Sequence, residues 1–267
     1  MVAAGIRRST PQVRALVVGG FRQAVGWKLV AVNPCDGTRL PKVERPERPA
    51  LSTEQVAAII SKVEDEYRVA FGLDAATGLR ASELVGLRWS DVSLKGGACD
   101  GRESCPSYPH LHVDGSIQRV DGTLERTPPK TKHGRRWVPL PDSGVAMLRK
   151  HGAEQAERQL MLGQAWNDHD LVIEQGDGGP LDPNLLGKAF QRAAKRATVT
   201  GRTFHGLRHY FVTQAVNSGI DARTVQRMAG HSDVAFTLRI YFHPSETAAE
   251  PQRQAVDAAL GAALGQL

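Results

Sequence analysis

Apolar positions along the chain recur mostly at helical spacing, and they alternate only in one short central region. Between residues 12 and 31, Val13, Leu16, Val17, Phe21, Ala24 and Val25 fall three and four apart, which predicts a helix weakened by Gly19-Gly20. Asn33 to Pro49 holds four prolines and several arginines without hydrophobic period, the composition of an extended strap. Ser52 or Thr53 opens a new helix, with Glu54 and Gln55 in the first turn, where acidic groups offset the positive helix end. Helical patterns follow over Glu64 to Thr77 and Ala81 to Leu87, parted by Thr77-Gly78-Leu79-Arg80. The pattern then changes to strands. Leu111 to Val120 and Leu124 to Thr127 flank Asp121-Gly122, a hairpin signal, and Arg136-Trp-Val-Pro-Leu140 supplies a third strand. From Pro141 onward the spacing is helical at roughly 142–162, 184–198, 206–218, 221–229 and 233–240, with a tail from about 246 to 264. The expected fold class is α+β, mainly α, with a small three-stranded antiparallel sheet.

Composition narrows the functional classes. The chain has 267 residues, of which 41% are hydrophobic and 23% charged, enough to bury a core and inconsistent with disorder. Its apolar runs fall well short of the ~18 residues a membrane span requires. Arg7 and Arg8 are not followed by the apolar stretch and cleavage site of a secretory signal, and three cysteines do not make a disulfide framework. A reducing, cytoplasmic setting is expected, with association to the nucleoid when DNA is bound. The net charge of +6 is unevenly placed, because residues 1–50 hold nine basic against three acidic side chains and the remainder is balanced.

No phosphate-binding loop, dinucleotide fingerprint, zinc-protease helix or serine-hydrolase elbow is present. What stands out is an ordered set: Gly78-Leu-Arg80-Ala-Ser-Glu83-Leu-Val-Gly-Leu-Arg-Trp89-Ser-Asp91, Pro129-Lys-Thr-Lys132 ahead of Val138-Pro-Leu, His205-Gly-Leu-Arg208-His, Gly230-His231-Ser, and Tyr241-Phe-His243. In this order and spacing the set resembles the tyrosine recombinase (phage integrase) family, from about residue 12 to the C-terminus. The resemblance implies a catalytic domain over 51–267, an inter-domain linker over 33–50, and in 1–32 only the last helix of a core-binding domain. It also implies that Tyr241 is the nucleophile, leaving a 3′-phosphotyrosine and a free 5′-hydroxyl. His205 would then deprotonate the tyrosine or hold the phosphate, His231 would donate to a phosphate oxygen, Lys132 would protonate the departing oxygen, and Glu83 would orient Arg80. Lys130 competes with Lys132 for the acid's role, and His209 and His243 are supporting residues. No metal or cofactor is implied.

The residues themselves support this chemistry. The five-coordinate phosphorus formed during attack concentrates negative charge on oxygens that planar guanidiniums match bidentately. Arg80 lies at a helix start, and Arg208 follows His205 by three residues, so that both side chains of that helix can face one phosphate. A covalent intermediate conserves the phosphodiester's energy, so rejoining needs no nucleotide cofactor. Tyr67, Tyr108 and Tyr210 are the rival nucleophiles.

Local charge points to double-stranded DNA as partner. Lys188 to Arg208 has six bases and no acid, and Arg119 to Arg136 has six bases against two acids. Lys130, Arg135, Arg136, Lys188, Arg192, Lys195, Arg196 and Arg202 are the candidate DNA contacts, and their binding is expected to be salt-sensitive. By resemblance the working state is a homotetramer on attachment-type sites, with accessory DNA-bending or directionality proteins as further partners. A DNA-binding remnant without productive recombination, and type IB topoisomerase-like relaxation, are the competing functions. One insertion, 95–110, is longer than the family's usual connection. Its Cys99 and Cys105, with His110 and His112, have ligand types that zinc accepts, but the irregular spacing favours a plain surface loop.

Overall fold

The computed structural model describes residues 10–38, 49–97, 105–129 and 134–230. These fall into two compact units that meet between Pro49 and Ala50. In the first, helix α1 (Thr10–Gly26) ends before the expected residue 31, because the chain turns at Lys28, where φ is +59°. The strap that follows does not begin extended. Arg14 Nη2 donates to the Thr38 carbonyl at 2.9 Å and Asn33 Nδ2 to that of Val18 at 3.3 Å, which folds residues 33–38 back along the helix.

The second unit opens with α2 (Thr53–Lys62), capped as its sequence suggests. The Ser52 hydroxyl accepts from the Gln55 backbone while the Gln55 side chain accepts from the Ser52 backbone. Helices α3 (Asp65–Thr77) and α4 (Ala81–Val85) follow, then strands β1 (Val92–Ser93), β2 (His110–Val113), β3 (Ser116–Val120), β4 (Thr123–Thr127) and β5 (Arg136–Pro139). The described chain closes with α5 (Asp142–Leu162), α6 (Pro183–Arg196), α7 (His205–Asn217) and α8 (Ala222–Ala229). The patterns at 233–240 and 246–264 lie outside the described residues.

Helix α3 is the axis of this unit, in contact with α2, α4, α5, α6 and α7. Its Phe71 meets Phe204 edge-on at 5.1 Å and stacks with Phe190 at 6.0 Å, within a core that includes Ile59, Leu73, Leu84, Leu186 and Leu207. A smaller cluster of Phe211, Val212, Val216, Val225 and Ala229 joins α7 to α8.

The sheet differs from the expectation in its membership. The three antiparallel strands are β1, β2 and β5, whereas the hairpin β3–β4 forms a separate pair around Asp121-Gly122, both with positive φ. The run from Leu111 to Val120, expected as one strand, breaks at Asp114-Gly115. Arg126 explains the break. From β4 its guanidinium reaches the Gly86 carbonyl at 2.8 Å, the Asp91 carboxylate at 3.1 Å and Asp114, while Ser116 and Ile117 are buried where β3 meets α4. The hairpin therefore packs on α4 instead of extending the sheet. β1, only two residues long, was too short to show in the hydrophobic pattern.

Candidate active site

The site is built on the sharp connection between α3 and α4. Gly78 caps α3 in the left-handed region (φ +63°), and a Cβ there would stand 2.4 Å from the Phe211 ring, so only glycine allows α7 to approach this turn. The Gly78 carbonyl accepts from Arg208 Nη1 at 2.6 Å, and two residues later Arg80 stands at the N-cap of α4. The two arginines thus meet at one turn although 128 positions separate them in sequence.

Glu83 ties the cluster together. Its carboxylate accepts from the Arg80 backbone N–H at 3.0 Å, from Arg80 Nη1 at 2.8 Å, and from Arg136 Nη2 at 2.7 Å and Nη1 at 3.1 Å. Burial alone would raise its pKa, but the hydrogen bonds and charge of Arg136, followed by those of Arg80, hold it down at about 2. Arg136 and Arg80 also bind the C-terminal end of α8, donating to the Met228 carbonyl at 2.8 Å and the Gly230 carbonyl at 2.5 Å. Cationic side chains there satisfy the last free carbonyls of the helix and complement its dipole. Gly230, whose carbonyl Arg80 holds, immediately precedes His231 in sequence.

Arg208 is 2% exposed. Burial, then the positive charges of Arg80 and Arg136, push its pKa down to about 10, so it stays cationic at neutral pH. Two guanidiniums bind the Glu83 carboxylate and the third, that of Arg208, is held on the Gly78 carbonyl of the same turn, leaving an excess of positive charge and, at Arg208 Nη2, a donor without a hydrogen-bond partner among the described residues. A phosphate oxygen is the acceptor that such a site matches in both charge and geometry. His205 stands beside it at the start of α7, its pKa lowered by burial and by the charges of Arg208 and Arg80. Its ring meets that of His209 edge-on at 4.7 Å, and burial followed by His205 brings His209 down to about 4. Both rings are neutral at pH 7, as proton acceptors require.

The other candidate residues are distributed as follows. Lys188, Arg192, Lys195 and Arg196 are exposed on α6, with Arg192 and Arg196 sharing Glu64 at 2.9 and 3.1 Å. Arg135 is exposed and Arg202 half-buried. Arg136, grouped from sequence with the DNA contacts, is instead buried and bound to Glu83; nothing in its immediate sequence distinguished it from Arg135 except the alternation of β5, which turns Arg136 and Val138 inward. Among the rival tyrosines, Tyr67 is buried with its pKa raised by burial, Tyr108 is exposed, and the Tyr210 hydroxyl lies 3.3 Å from that of Thr53. Lys130, Lys132, His231, Tyr241 and His243 lie outside the described residues.

Of the four residues weighed as zinc ligands, Cys105 and His110 are neighbours, with Cys105 Sγ 3.5 Å from His110 Nε2. Cys105 is disulfide-bonded, contrary to the reading of the cysteines as reduced, and Cys99 lies outside the described residues. His110 Nδ1 is held at 2.6 Å by the Tyr108 carbonyl, and His112 faces Asp91 instead of Cys105. Asp91, His112 and Asp114 do converge, but the Arg126 guanidinium is ion-paired with both carboxylates and already supplies the cation there.

Comparison with known proteins gives the site its context. Residues 107–248, more than half the chain, match the family model described as Phage integrase family. A tyrosine recombinase XerC-like protein of Caldanaerobacter subterraneus is 30% identical over 84% of this chain, which spans 59% of that protein's length. The Tn1549 transposon integrase, solved with a circular-intermediate DNA, superposes with a TM-score of 0.70 at 20% identity, covering 93% of this chain and 79% of that one. A lambda integrase, solved as a tetramer on a Holliday junction, gives 0.58 at 21% identity over 88% of this chain and 60% of the other. At such identities these two likenesses are of fold. Together with the family match, they place this chain in the phage integrase family of tyrosine recombinases.

Proposed function

We propose that the protein cleaves and rejoins double-stranded DNA at defined attachment-type sites, in the service of a mobile element, through a covalent 3′-phosphotyrosine at Tyr241. The observation that carries this reading is the gathering of Arg80 and Arg136 on Glu83 with Arg208 held on the adjacent Gly78 carbonyl, which leaves a cationic site suited to one phosphodiester. In the forward step the Tyr241 oxygen bonds to phosphorus and the bond from phosphorus to the 5′ oxygen breaks. The phenolic proton passes to a base, for which neutral His205 is suited, and the departing 5′ oxygen takes a proton from Lys132. Rejoining is the reverse attack by a 5′-hydroxyl, so bond energy is conserved and no nucleotide is consumed. Arg80 and Arg208, with His231, stabilise the charge that grows on the non-bridging oxygens. The exposed bases of α6 bind the DNA backbone at a distance from the chemistry. Assembly as a tetramer on two duplexes is proposed by analogy with the lambda integrase complex.

The test is a duplex nicked so that the cleaved end diffuses away and traps the intermediate. Incubation with the chain is expected to yield a covalent protein–DNA adduct that protease removes. Absence of any adduct alongside retained DNA binding would favour a binding remnant. Supercoil relaxation without exchange between two defined sites would favour the topoisomerase-like activity.

A further inference from the structure

Arg136 has no step of its own in the reaction above, yet every nitrogen of its guanidinium is bonded. The residue is 8% exposed. Its Nη2 and Nη1 donate to the two Glu83 carboxylate oxygens at 2.7 and 3.1 Å, Nη1 also donates to the Gly134 carbonyl at 3.3 Å, and Nε donates to the Met228 carbonyl at 2.8 Å. A group so enclosed and so committed to protein acceptors is not placed to take a phosphate oxygen.

Arg80 has the opposite character. Its side chain is 41% exposed, and a long side chain at the surface samples many rotamers unless its head group is fixed. Two contacts fix this one: Nη1 donates to Glu83 Oε1 at 2.8 Å and Nη2 to the Gly230 carbonyl at 2.5 Å. Arg136 holds both anchors. Glu83 Oε1 accepts from Arg80 and Arg136 alike, and the end of α8 is gripped by Arg136 at Met228 and by Arg80 two residues later. The fit between α8 and Arg136 is close. At Gly230, where φ is +65°, a Cβ would stand 2.8 Å from both Cζ and Nη1 of Arg136, so the backbone lies against the guanidinium with no room for a side chain.

We propose that Arg136 is a positioning residue for Arg80. One buried guanidinium fixes the carboxylate on one side and the helix end on the other, and the Arg80 guanidinium is held between them in a single orientation toward the scissile phosphate. The inference rests on the reading of Arg80 as a phosphate ligand. Bidentate recognition of an anion depends on the plane of the guanidinium, and a displacement of about 1 Å can cost 10²-fold in rate. Charge alone does not supply this hold. A lysine would carry the same charge as a point donor and could not span Glu83 and Met228 at once.

Single-turnover adduct formation at saturating nicked duplex, run well below each variant's Tm, separates positioning from stability. A purely structural role lowers the amplitude through the folded fraction and leaves the rate constant unchanged. Arg136→Lys is expected to lower the rate constant by about tenfold or more, with the apparent DNA Kd within about twofold of wild type. In an Arg80→Lys background the same substitution should cost less than about twofold further, because the residue it positions is already gone. Gly230→Ala keeps every side chain of the cluster and sets a methyl against the Arg136 guanidinium. It should give the same two results, and it carries the test if Arg136→Lys does not fold. A wild-type rate constant in either variant, or losses that multiply with that of Arg80→Lys, would overturn the proposal. The parent reading fails separately, through no adduct from wild type or a wild-type rate constant in Arg80→Lys. If Arg80→Lys is impaired while Arg136→Lys and Gly230→Ala are not, only the role of Arg136 fails.

Discussion

Glu83→Gln is expected to destabilise the catalytic unit by about 3–5 kcal/mol and to abolish cleavage together with it. The carboxylate carries five functions at once. It holds both Nη atoms of buried Arg136, the Nη1 and backbone N–H of Arg80, and through those arginines the C-terminal end of α8. Glutamine retains one acceptor oxygen and no charge, so Arg136 would remain buried without compensation. For a unit of roughly this size the loss corresponds to a Tm lower by about 10 °C. The effect also has a pH signature. Glu83 has a folded pKa of about 2 against 4.5 ordinarily, so its contribution is full above pH 4.5 and is lost as pH falls toward 2. That contribution is about 3 kcal/mol, and acid titration of the variant's stability should lack this limb. A separate limb should persist in the variant between pH 6.5 and 4, where His209 takes up a proton in the unfolded chain but not in the folded one. Denaturant unfolding of both proteins across pH 2–8 measures the two limbs independently. Equal stability of variant and wild type at pH 7 would show that the Glu83–Arg136 pair contributes nothing.

Arg208→Lys is expected to lower the single-turnover cleavage rate by about 10²-fold or more, with little change in duplex affinity. The guanidinium serves two directions from one planar group, with Nη1 on the Gly78 carbonyl and Nη2 open to a phosphate oxygen. An ammonium is a point donor and cannot hold both. Burial and the neighbouring charges of Arg80 and Arg136, which already lower the arginine to about 10, would act on a lysine that starts from a lower ordinary value and favour its neutral form. Most of the affinity for a duplex comes from backbone contacts spread over the exposed bases, so binding should survive the loss of one buried cation. A rate within threefold of wild type would remove Arg208 from the chemistry.

The helices of the catalytic unit were legible because each keeps a periodic apolar face and a local stop, as at Ser52 for α2 and Gly78 for α3. The sheet was harder to read, since the break at Asp114-Gly115 is imposed by Arg126, a contact between β4 and the loop after α4 that no local pattern encodes. Arg80, Glu83, His205 and Arg208 could be singled out from motif order, and the structure brings the first two and Arg208 to one turn. The inward role of Arg136 followed only from the alternation of β5. The disulfide at Cys105 shows a different limit, because a count of three cysteines argues against a framework without excluding one bond.

Tyr241 is proposed to form the covalent link to DNA. This is tested most directly by digesting the adduct trapped on a nicked duplex and identifying by mass spectrometry the residue that carries the nucleotide. A 3′-phosphoryl nucleotide on Tyr241 and no adduct from Tyr241→Phe are expected. A nucleotide on Tyr67, Tyr108 or Tyr210, or an undiminished adduct from the phenylalanine variant, would contradict it.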